Sequence, residues 1–225
     1  MNDKLFAVIT GDIYKSSRFS GENRARLLEA LKNAFNNIER IMGKDLIILP
    51  FEIYRGDSFQ GVIAPVENSL KVAILIRATI RGHFQTTLKD LPDARIAIGI
   101  GNIDFFPDSR TGEGDGEAYR NSGPVLDTMN KHSRMIMIKT PCNEINDELN
   151  VACAFLDTVI AKWSPEQALT VVESIDSKTQ EEMAEFFNIS QPAVKKRINS
   201  ANFYALELMM SRFNRIFSNN KTHDL

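Results

Sequence analysis

The sequence predicts an α+β fold, with a mixed α/β domain over residues 1–145 and an all-helical domain over residues 146–225. Two observations predict this division. Up to residue 140, short apolar runs of strand length alternate with longer segments in which apolar residues recur every three or four positions. Beyond Pro141 no strand-like run follows, and the chain has the pattern of helices only.

The first half has the predicted order βαββαβ, with a further helix and strand at its end. Its first run, rich in branched apolar residues, is typical of a strand buried on both faces, and it should stop at Gly11-Asp12. Pro50 indicates an edge position or a bulge in the second strand. The predicted strands are residues 5–10, 46–54, 58–64, 94–101 and 134–140, and the predicted helices are residues 23–42, 67–89 and 118–131.

Two further segments predict a long loop in the first half and a long helix in the second. Residues 102–117 combine a proline with acids and glycines, so we expect a loop that cannot bury itself. Loops of this length often carry function. In the helical half, one long helix is expected from about Pro192 to Phe217, with more apolar residues than its own small domain can cover.

The composition excludes several classes of protein. The N-terminal stretch has neither the apolar core of a signal peptide nor a membrane span, so no membrane partner is expected. Cys142 and Cys153 are the only cysteines and have no histidine nearby, which predicts neither a disulfide framework nor a zinc site, and favours a cytoplasmic location. With a net charge of -2, any contact with nucleic acid must come from a local basic patch.

Residues 180–199 have the pattern of a helix-turn-helix. Ala184 lies inside the first predicted helix, where a small residue lets a second helix approach closely. Asn188 stands where such turns usually carry glycine, and asparagine tolerates a left-handed backbone. The joint core would consist of Met183, Phe187, Ile189, Val194 and Ile198. The segment resembles the helix-turn-helix of bacterial repressors.

The second helix of this motif predicts binding to double-stranded DNA. Ser190 is the expected N-cap, and glutamine and lysine side chains beyond it would face base edges and phosphates. The expected DNA contacts are Ser190, Gln191, Ala193, Lys195, Lys196 and Arg197. The alternative is a plain helical hairpin with a solvated lysine face. Because such proteins usually read two half-sites, we also expect a homodimer.

Asp12 and Asp57 predict a metal site in the first half. Asp12 ends the first strand and Asp57 lies in the hairpin after the second, and a βαββαβ sheet places the first strand beside the third. Paired carboxylates suit Mg²⁺, which usually bridges to phosphate. Lys15, Ser16 and Ser17 would then bind a nucleotide or phosphate ligand. The alternatives are ordinary turn chemistry for the aspartates and a solvated loop for residues 15–17.

Three segments carry a resemblance to known families: GDIYKSS at 11–17, RGDSFQGVI at 55–63, and DGEAY at 115–119. The first two resemble the metal-binding strand and hairpin of class III nucleotide cyclases and diguanylate cyclases. Together the three are similar to the SatD family, over about residues 5–130. The resemblance implies a ferredoxin-like, nucleotide-cyclase-like palm followed by a helix-turn-helix domain. Arg55 and Asp115, within these segments, join the ligand-binding candidates.

Departures from the cyclase pattern argue against catalysis. Asp127 and Lys131 stand where class III cyclases carry asparagine and arginine, and Ser58 stands where diguanylate cyclases carry glutamate. These changes remove groups that phosphoryl transfer needs. We therefore expect a DNA-binding transcriptional regulator with a catalytically degenerate sensor domain. The alternatives are a metal-dependent phosphoryl-transfer enzyme acting on nucleotides and a non-catalytic interaction scaffold.

Overall fold

The computed structural model describes residues 4–54, 56–84, 91–108 and 110–219. Within these ranges strands and helices are mixed, which confirms the α+β class. The strands are β1 (Phe6–Ile13), β2 (Ile47–Tyr54), β3 (Ser58–Ile63), β4 (Ala94–Gly101) and β5 (Ile136–Lys139). The helices are α1 (Glu22–Met42), α2 (Ser69–Gly82), α3 (Glu117–His132), α4 (Asn143–Ile160), α5 (Pro165–Ile175), α6 (Gln180–Phe187), α7 (Gln191–Ser200) and α8 (Phe203–Asn219).

The strands form one sheet in the order β2-β3-β1-β4-β5. All neighbours are antiparallel except β4 and β5, which are parallel. The prediction that β1 stops at Gly11-Asp12 is wrong, because both residues pair with β3 on one side and β4 on the other. Gly11 is needed here, since a Cβ atom would lie 2.3 Å from the ring of Phe59. Asp12 therefore lies inside a central strand.

The edge strand β2 has the irregularity that Pro50 predicts. Its register against β3 shifts between Leu49 and Glu52, on either side of the proline. Proline has no N–H group to donate to a neighbouring strand, and an edge strand tolerates that loss. The prediction of an edge position or a bulge is confirmed, since β2 lies at the edge of the sheet and its register is irregular at the proline.

The two faces of the sheet are covered by different helices. Ala7 and Ile9 of β1 belong to a core shared with α1 and α2, whereas Val8 between them packs with Ala118 of α3. This alternation is the period of two expected for a strand buried on both faces. Gly99 lets α3 approach closely, since a Cβ atom there would lie 2.2 Å from the Ala118 carbonyl oxygen.

The polar loop after β4 is anchored at its centre. Thr111 is only 2% exposed, and its hydroxyl donates to the Pro50 carbonyl at 2.7 Å. Its N–H group donates to a carboxylate oxygen of Glu52 at 2.8 Å, and the hydroxyl of Tyr119 donates to its carbonyl at 2.8 Å. The expectation that this loop cannot bury itself is therefore wrong at Thr111, because the hydrogen bonds replace those with water.

The helical half packs directly against the sheet half. Close packing of α5 on α2 is seen at Gly82, where a Cβ atom would lie 2.8 Å from the side chain of Leu169. A single cluster of buried apolar residues extends from β1 to α8, across the position where the boundary at 145/146 is predicted. That boundary stays a prediction. None of the helices in the described ranges has the length and apolar character needed to cross a membrane.

The long helix expected from Pro192 to Phe217 is not formed. Helix α7 ends at Ser200 and α8 begins at Phe203. Between them Asn202 has a φ angle of 54°, in the left-handed region that interrupts a helix. The break changes the direction of the chain, so α8 can pack its Phe213 and Phe217 into the core.

Candidate functional sites

The end of β1 opens into a cavity of about 370 Å³ that contains most of the predicted ligand residues. Asp57 reaches it from the hairpin, and the N–H group of Ile13 donates to the Asp57 carbonyl at 3.2 Å. The cavity is lined by Asp12, Ile13, Tyr14, Lys15, Ser16, Ser17, Asp57 and Arg95. The structure thus brings together both predicted carboxylates and the three residues predicted to bind phosphate.

Asp12 is held by Arg95, which the sequence reasoning did not identify. The guanidinium donates from Nε to Oδ1 at 2.8 Å and from Nη2 to Oδ2 at 2.5 Å, so both carboxylate oxygens accept a charge-assisted hydrogen bond. The two side chains are 20% and 11% exposed. The arginine already supplies the positive charge that a metal ion would bring. The available signal was a charged residue at an inward position of an otherwise apolar strand.

The segment after β1 has an unusual backbone. Lys15 adopts the left-handed conformation, with φ 53° and ψ 37°, and leads into a single 3-10 turn over Ser16–Arg18. Its ammonium group lies 4.7 Å from the centre of the Tyr14 ring, and the Arg95 guanidinium lies 5.9 Å from the same ring. Strained backbone at a non-glycine residue is concentrated at functional sites. Cations therefore flank this aromatic ring on the wall of the cavity.

One predicted ligand residue, Asp115, does not join this cluster. Asp115 lies beyond the opposite end of β4, where it bridges to Phe105 and accepts a hydrogen bond from Arg120 at 2.8 Å. Because β1 and β4 are antiparallel, that end is a full strand length away from Asp12. Arg55 lies outside the described residues. Across the described ranges, no group of three or more histidine, cysteine, aspartate or glutamate residues is placed to hold a metal ion.

The second candidate site is the turn between α6 and α7. Helix α6 begins with a capping box in which Thr179 and Glu182 exchange hydrogen bonds. It ends at Asn188, which has φ 52° and ψ 49°, the left-handed conformation that the sequence predicts for this position. Met183 of α6 and Val194 of α7 are buried between the helices. The turn is thus fixed by caps and by a small apolar core.

Helix α7 exposes most of the residues predicted to contact DNA. Ser190, Gln191, Lys195 and Lys196 are exposed, while Ala193 and Arg197 are half-buried. The Arg197 guanidinium lies 5.5 Å from the centre of the Phe187 ring. Ser190 occupies the N-cap position, yet its side chain makes no capping hydrogen bond. Its hydroxyl is therefore not used to stabilise the helix.

Several buried polar residues lie outside all of the sequence predictions. Arg77 and Arg81 of α2 interact with Asp93, and Trp163 donates from its indole to the Ala201 carbonyl at 2.9 Å. The available signal for both arginines was a charge within the apolar helix VAILIRATIR. Amphipathic spacing predicts where a helix is buried, but it does not show which buried charge has a partner.

Comparisons with known proteins give an extensive match to a protein family. The model of the SatD family matches residues 6–210. No curated protein matches the chain. A solved structure described as "Crystal structure of the guanylyl cyclase Cya2" is similar at 14% sequence identity, covering 60% of this chain and 74% of that chain, with a TM-score of 0.37.

Proposed function

This chain belongs to the SatD family, and from its geometry we propose that it is a DNA-binding transcriptional regulator with a non-catalytic sensor in its sheet half. The observation that carries the proposal is the surface of α7. Gln191, Lys195 and Lys196 are exposed on a helix whose opposite side is fixed in the core by Val194. A short, rigidly held helix with an exposed polar and basic face suits insertion into the major groove.

The surroundings of α7 support its assignment as a recognition helix. α5, α6 and α7 pack as three short helices, and the N–H group of Ile189 closes the turn by donating to the Ala184 carbonyl at 3.0 Å. The backbone of Ala184 therefore takes part in closing the turn that precedes α7. These features match the helix-turn-helix arrangement, which we include in the proposal.

The charges around α7 allow DNA contact on one side only. Glu181 and Glu185 are exposed on the neighbouring α6 and would repel phosphate. Glu182 is occupied by the capping box, and hydrogen bonds from the Thr179 backbone and side chain lower its pKa. Contacts with DNA would therefore be made by the α7 face that carries Lys195 and Lys196, because these cations are directed away from the core.

The sheet half supports a sensor better than an enzyme. The strand order is compatible with the ferredoxin-like palm that we propose for residues 1–145. In an enzyme of this kind Asp12 would be available to a metal ion, but here both of its oxygens accept hydrogen bonds from Arg95. We propose that the cavity at Asp12, with Lys15, Ser16, Ser17 and Asp57, holds a nucleotide or phosphate without Mg²⁺-dependent turnover.

A homodimer is part of the proposal, and the structure contains a surface that suits it. The helices α4 and α8 run antiparallel, since Glu148 pairs with Arg212 at one end and Trp163 meets Ala201 at the other. Four apolar side chains, each more than half exposed, lie on this pair of helices: Val151, Phe155, Tyr204 and Leu208. We propose that a second copy of the chain covers this strip, because two-fold symmetry matches two DNA half-sites.

The test is DNA binding by the full-length chain, measured by fluorescence anisotropy with a mixed-sequence duplex over a range of salt concentrations. Lys195→Glu combined with Lys196→Glu should abolish binding at moderate salt. In the milder pair Lys195→Gln and Lys196→Gln, the slope of log K against log salt should flatten by about 1.8, or 0.9 for each lost phosphate contact. The control is Lys32→Glu combined with Lys44→Glu, which changes the net charge by the same amount as the Lys195→Glu and Lys196→Glu pair but at exposed positions away from α7. This control should bind DNA as the parent does. Equal binding by the α7 variants and the parent would overturn the proposal in favour of a plain helical hairpin.

A further inference from the structure

A second cavity, of about 530 Å³, lies between the end of β1 and the turn that joins α4 to α5. It borders the Asp12 cavity through Tyr14 and Lys15, which line both. Its remaining wall comes from both halves of the chain, including Arg81 of α2 and the residues from Ala161 to Pro165. Its volume is in the range of small-molecule binding sites, and such sites are common where two parts of a fold meet.

The wall of this seam cavity carries more positive than negative charge. Among the described residues that line it, the cations are Lys15, Arg18, Arg81 and Lys162, and the one acidic residue is Asp93. That carboxylate is already engaged by Arg77, from Nε at 2.9 Å and Nη2 at 2.8 Å. Lys15 and Lys162 therefore leave the described wall of the cavity positively charged, which suits an anionic ligand.

Arg81 shows an unsatisfied donor at this wall. The residue is 6% exposed, and its Nη2 donates to the carbonyls of Ala161 and Trp163 at 3.0 Å each. Its Nη1 donates to Asp93 at 3.3 Å, whereas its buried Nε has no hydrogen-bond partner among the residues that the structure describes. A buried donor without an acceptor costs free energy. The side chain is thus a charged group that Asp93 and two backbone carbonyls hold in place beside the cavity.

Aromatic side chains complete the wall. Tyr14, Phe19 and Trp163 line the cavity together with the cations. Rings combined with arginine and lysine are the groups that bind planar ligands carrying phosphate. We propose that the seam cavity binds a small phosphorylated ligand with an aromatic ring, for which nucleoside mono- and diphosphates are the matching class.

This site adjoins the Asp12 cavity, with which it shares Tyr14 and Lys15, but it is distinct from that cavity and from the DNA surface of α7. Binding at the seam needs neither Asp57 nor α7, so it can be measured without DNA. A regulatory role for the ligand, in contrast, rests on the proposed function. Trp163 would connect the cavity to α7, because it lines the cavity and its indole donates a hydrogen bond to the Ala201 carbonyl just after α7 ends.

The experiment uses Trp163 as the reporter, because it is the single tryptophan of the chain. The full-length protein is titrated with AMP, ADP, GMP, GDP and inorganic pyrophosphate, and tryptophan emission is recorded alongside calorimetry. Lys162→Glu reverses an exposed charge on the cavity wall and should weaken binding about tenfold or more. The matched control Lys32→Glu reverses an exposed charge on α1, outside both cavities, and should bind as the parent does.

A third variant separates the two cavities. Asp57→Asn alters the Asp12 cavity alone, so it can change binding there, but it should leave intact the change in Trp163 emission and the affinity obtained from that emission, because Trp163 lines only the seam cavity. Affinity that is lost with Asp57→Asn but kept with Lys162→Glu would place the ligand in the other cavity and overturn the proposal. So would the absence of binding by every nucleotide up to about 1 mM, the weak end of specific affinity. If pyrophosphate binds as tightly as the nucleotides, the ligand needs no aromatic ring, and that part of the proposal is wrong.

Discussion

Arg77 of α2 and Asp157 of α4 form an ion pair with Nη1 and Oδ1 2.6 Å apart, although 80 residues separate them in the chain. The Arg77 side chain is fully buried, and Asp93 binds the rest of its guanidinium. Burial disfavours the cation, yet attraction to the carboxylates of Asp93 and Asp157 outweighs this effect and raises the pKa of Arg77. Asp157 also accepts a hydrogen bond from the backbone N–H group of Met135 at 2.8 Å. The pair thus connects the sheet half with the helical half.

We expect Arg77→Met to destabilise both halves together. Removing the arginine takes the shortest ion-pair partner from two buried carboxylates and leaves them only the longer contacts with Arg81 and Arg134. Breaking a buried pair in this way costs about 3–5 kcal/mol. Urea unfolding followed by circular dichroism should show a lower midpoint in one transition. Arg40→Met is the matched control, because Arg40 also pairs with an aspartate, Asp176, but is 45% exposed. It should cost about 1 kcal/mol or less. Equal losses for the two variants would contradict the role assigned to Arg77.

The pairing of Asp12 with Arg95 predicts how the chain responds to Mg²⁺. Millimolar Mg²⁺ should leave the melting temperature of the parent unchanged, because the Arg95 guanidinium already neutralises Asp12 and donates a hydrogen bond to each of its oxygens. Arg95→Met frees these oxygens beside Asp57, so added Mg²⁺ should raise the melting temperature of this variant by mass action. Arg95→Met combined with Asp57→Asn should lose that response. If Mg²⁺ raises the melting temperature of the parent and Asp57→Asn removes that effect, the result would contradict this prediction and favour a metal site at Asp12 and Asp57.

The apolar strip on α4 and α8 predicts the assembly state. The parent should sediment as a dimer at micromolar concentration, and Phe155→Glu should dissociate it. Burial of a large apolar side chain contributes about 1.5–3 kcal/mol, and a two-fold interface contains two copies of Phe155. The association constant should therefore fall at least about a hundredfold. Phe186→Glu, at a side chain that is 62% exposed on α6, is the control and should remain dimeric. A parent that sediments only as monomer rules the interface out.

Cys153 predicts a loss of stability in alkaline solution. Burial, with a smaller contribution from Asp157, raises the pKa of its thiol from 9.0 to about 12. The unfolded chain releases this proton first, so the free energy of unfolding falls as pH rises from about 9 towards 12. Between pH 8 and pH 10 the contribution is about 1 kcal/mol. Urea titrations of Cys153→Ala should lack this part of the decrease, whereas Cys142→Ala should show it in full.

Local pattern was sufficient for much of the secondary structure. Apolar spacing predicted α1 to within a residue at its start, and the strand at 94–101 was predicted at both ends. The asparagine at position 188 predicted the turn before α7, because a left-handed backbone at one position depends on that residue and its immediate neighbours. Each of these features is set by hydrogen bonds and burial within a single element, and a sequence records that information directly.

The sequence by itself determined the α+β class and the basic residues of α7. Only the tertiary structure decided that Asp12 is paired with Arg95, that Arg77 is buried between two carboxylates, and that the helical half shares its core with the sheet half. These relationships join residues that are far apart in the chain. They depend on strand register and on how helices pack, where one position of shift changes which side chains meet, and local periodicity carries no record of either.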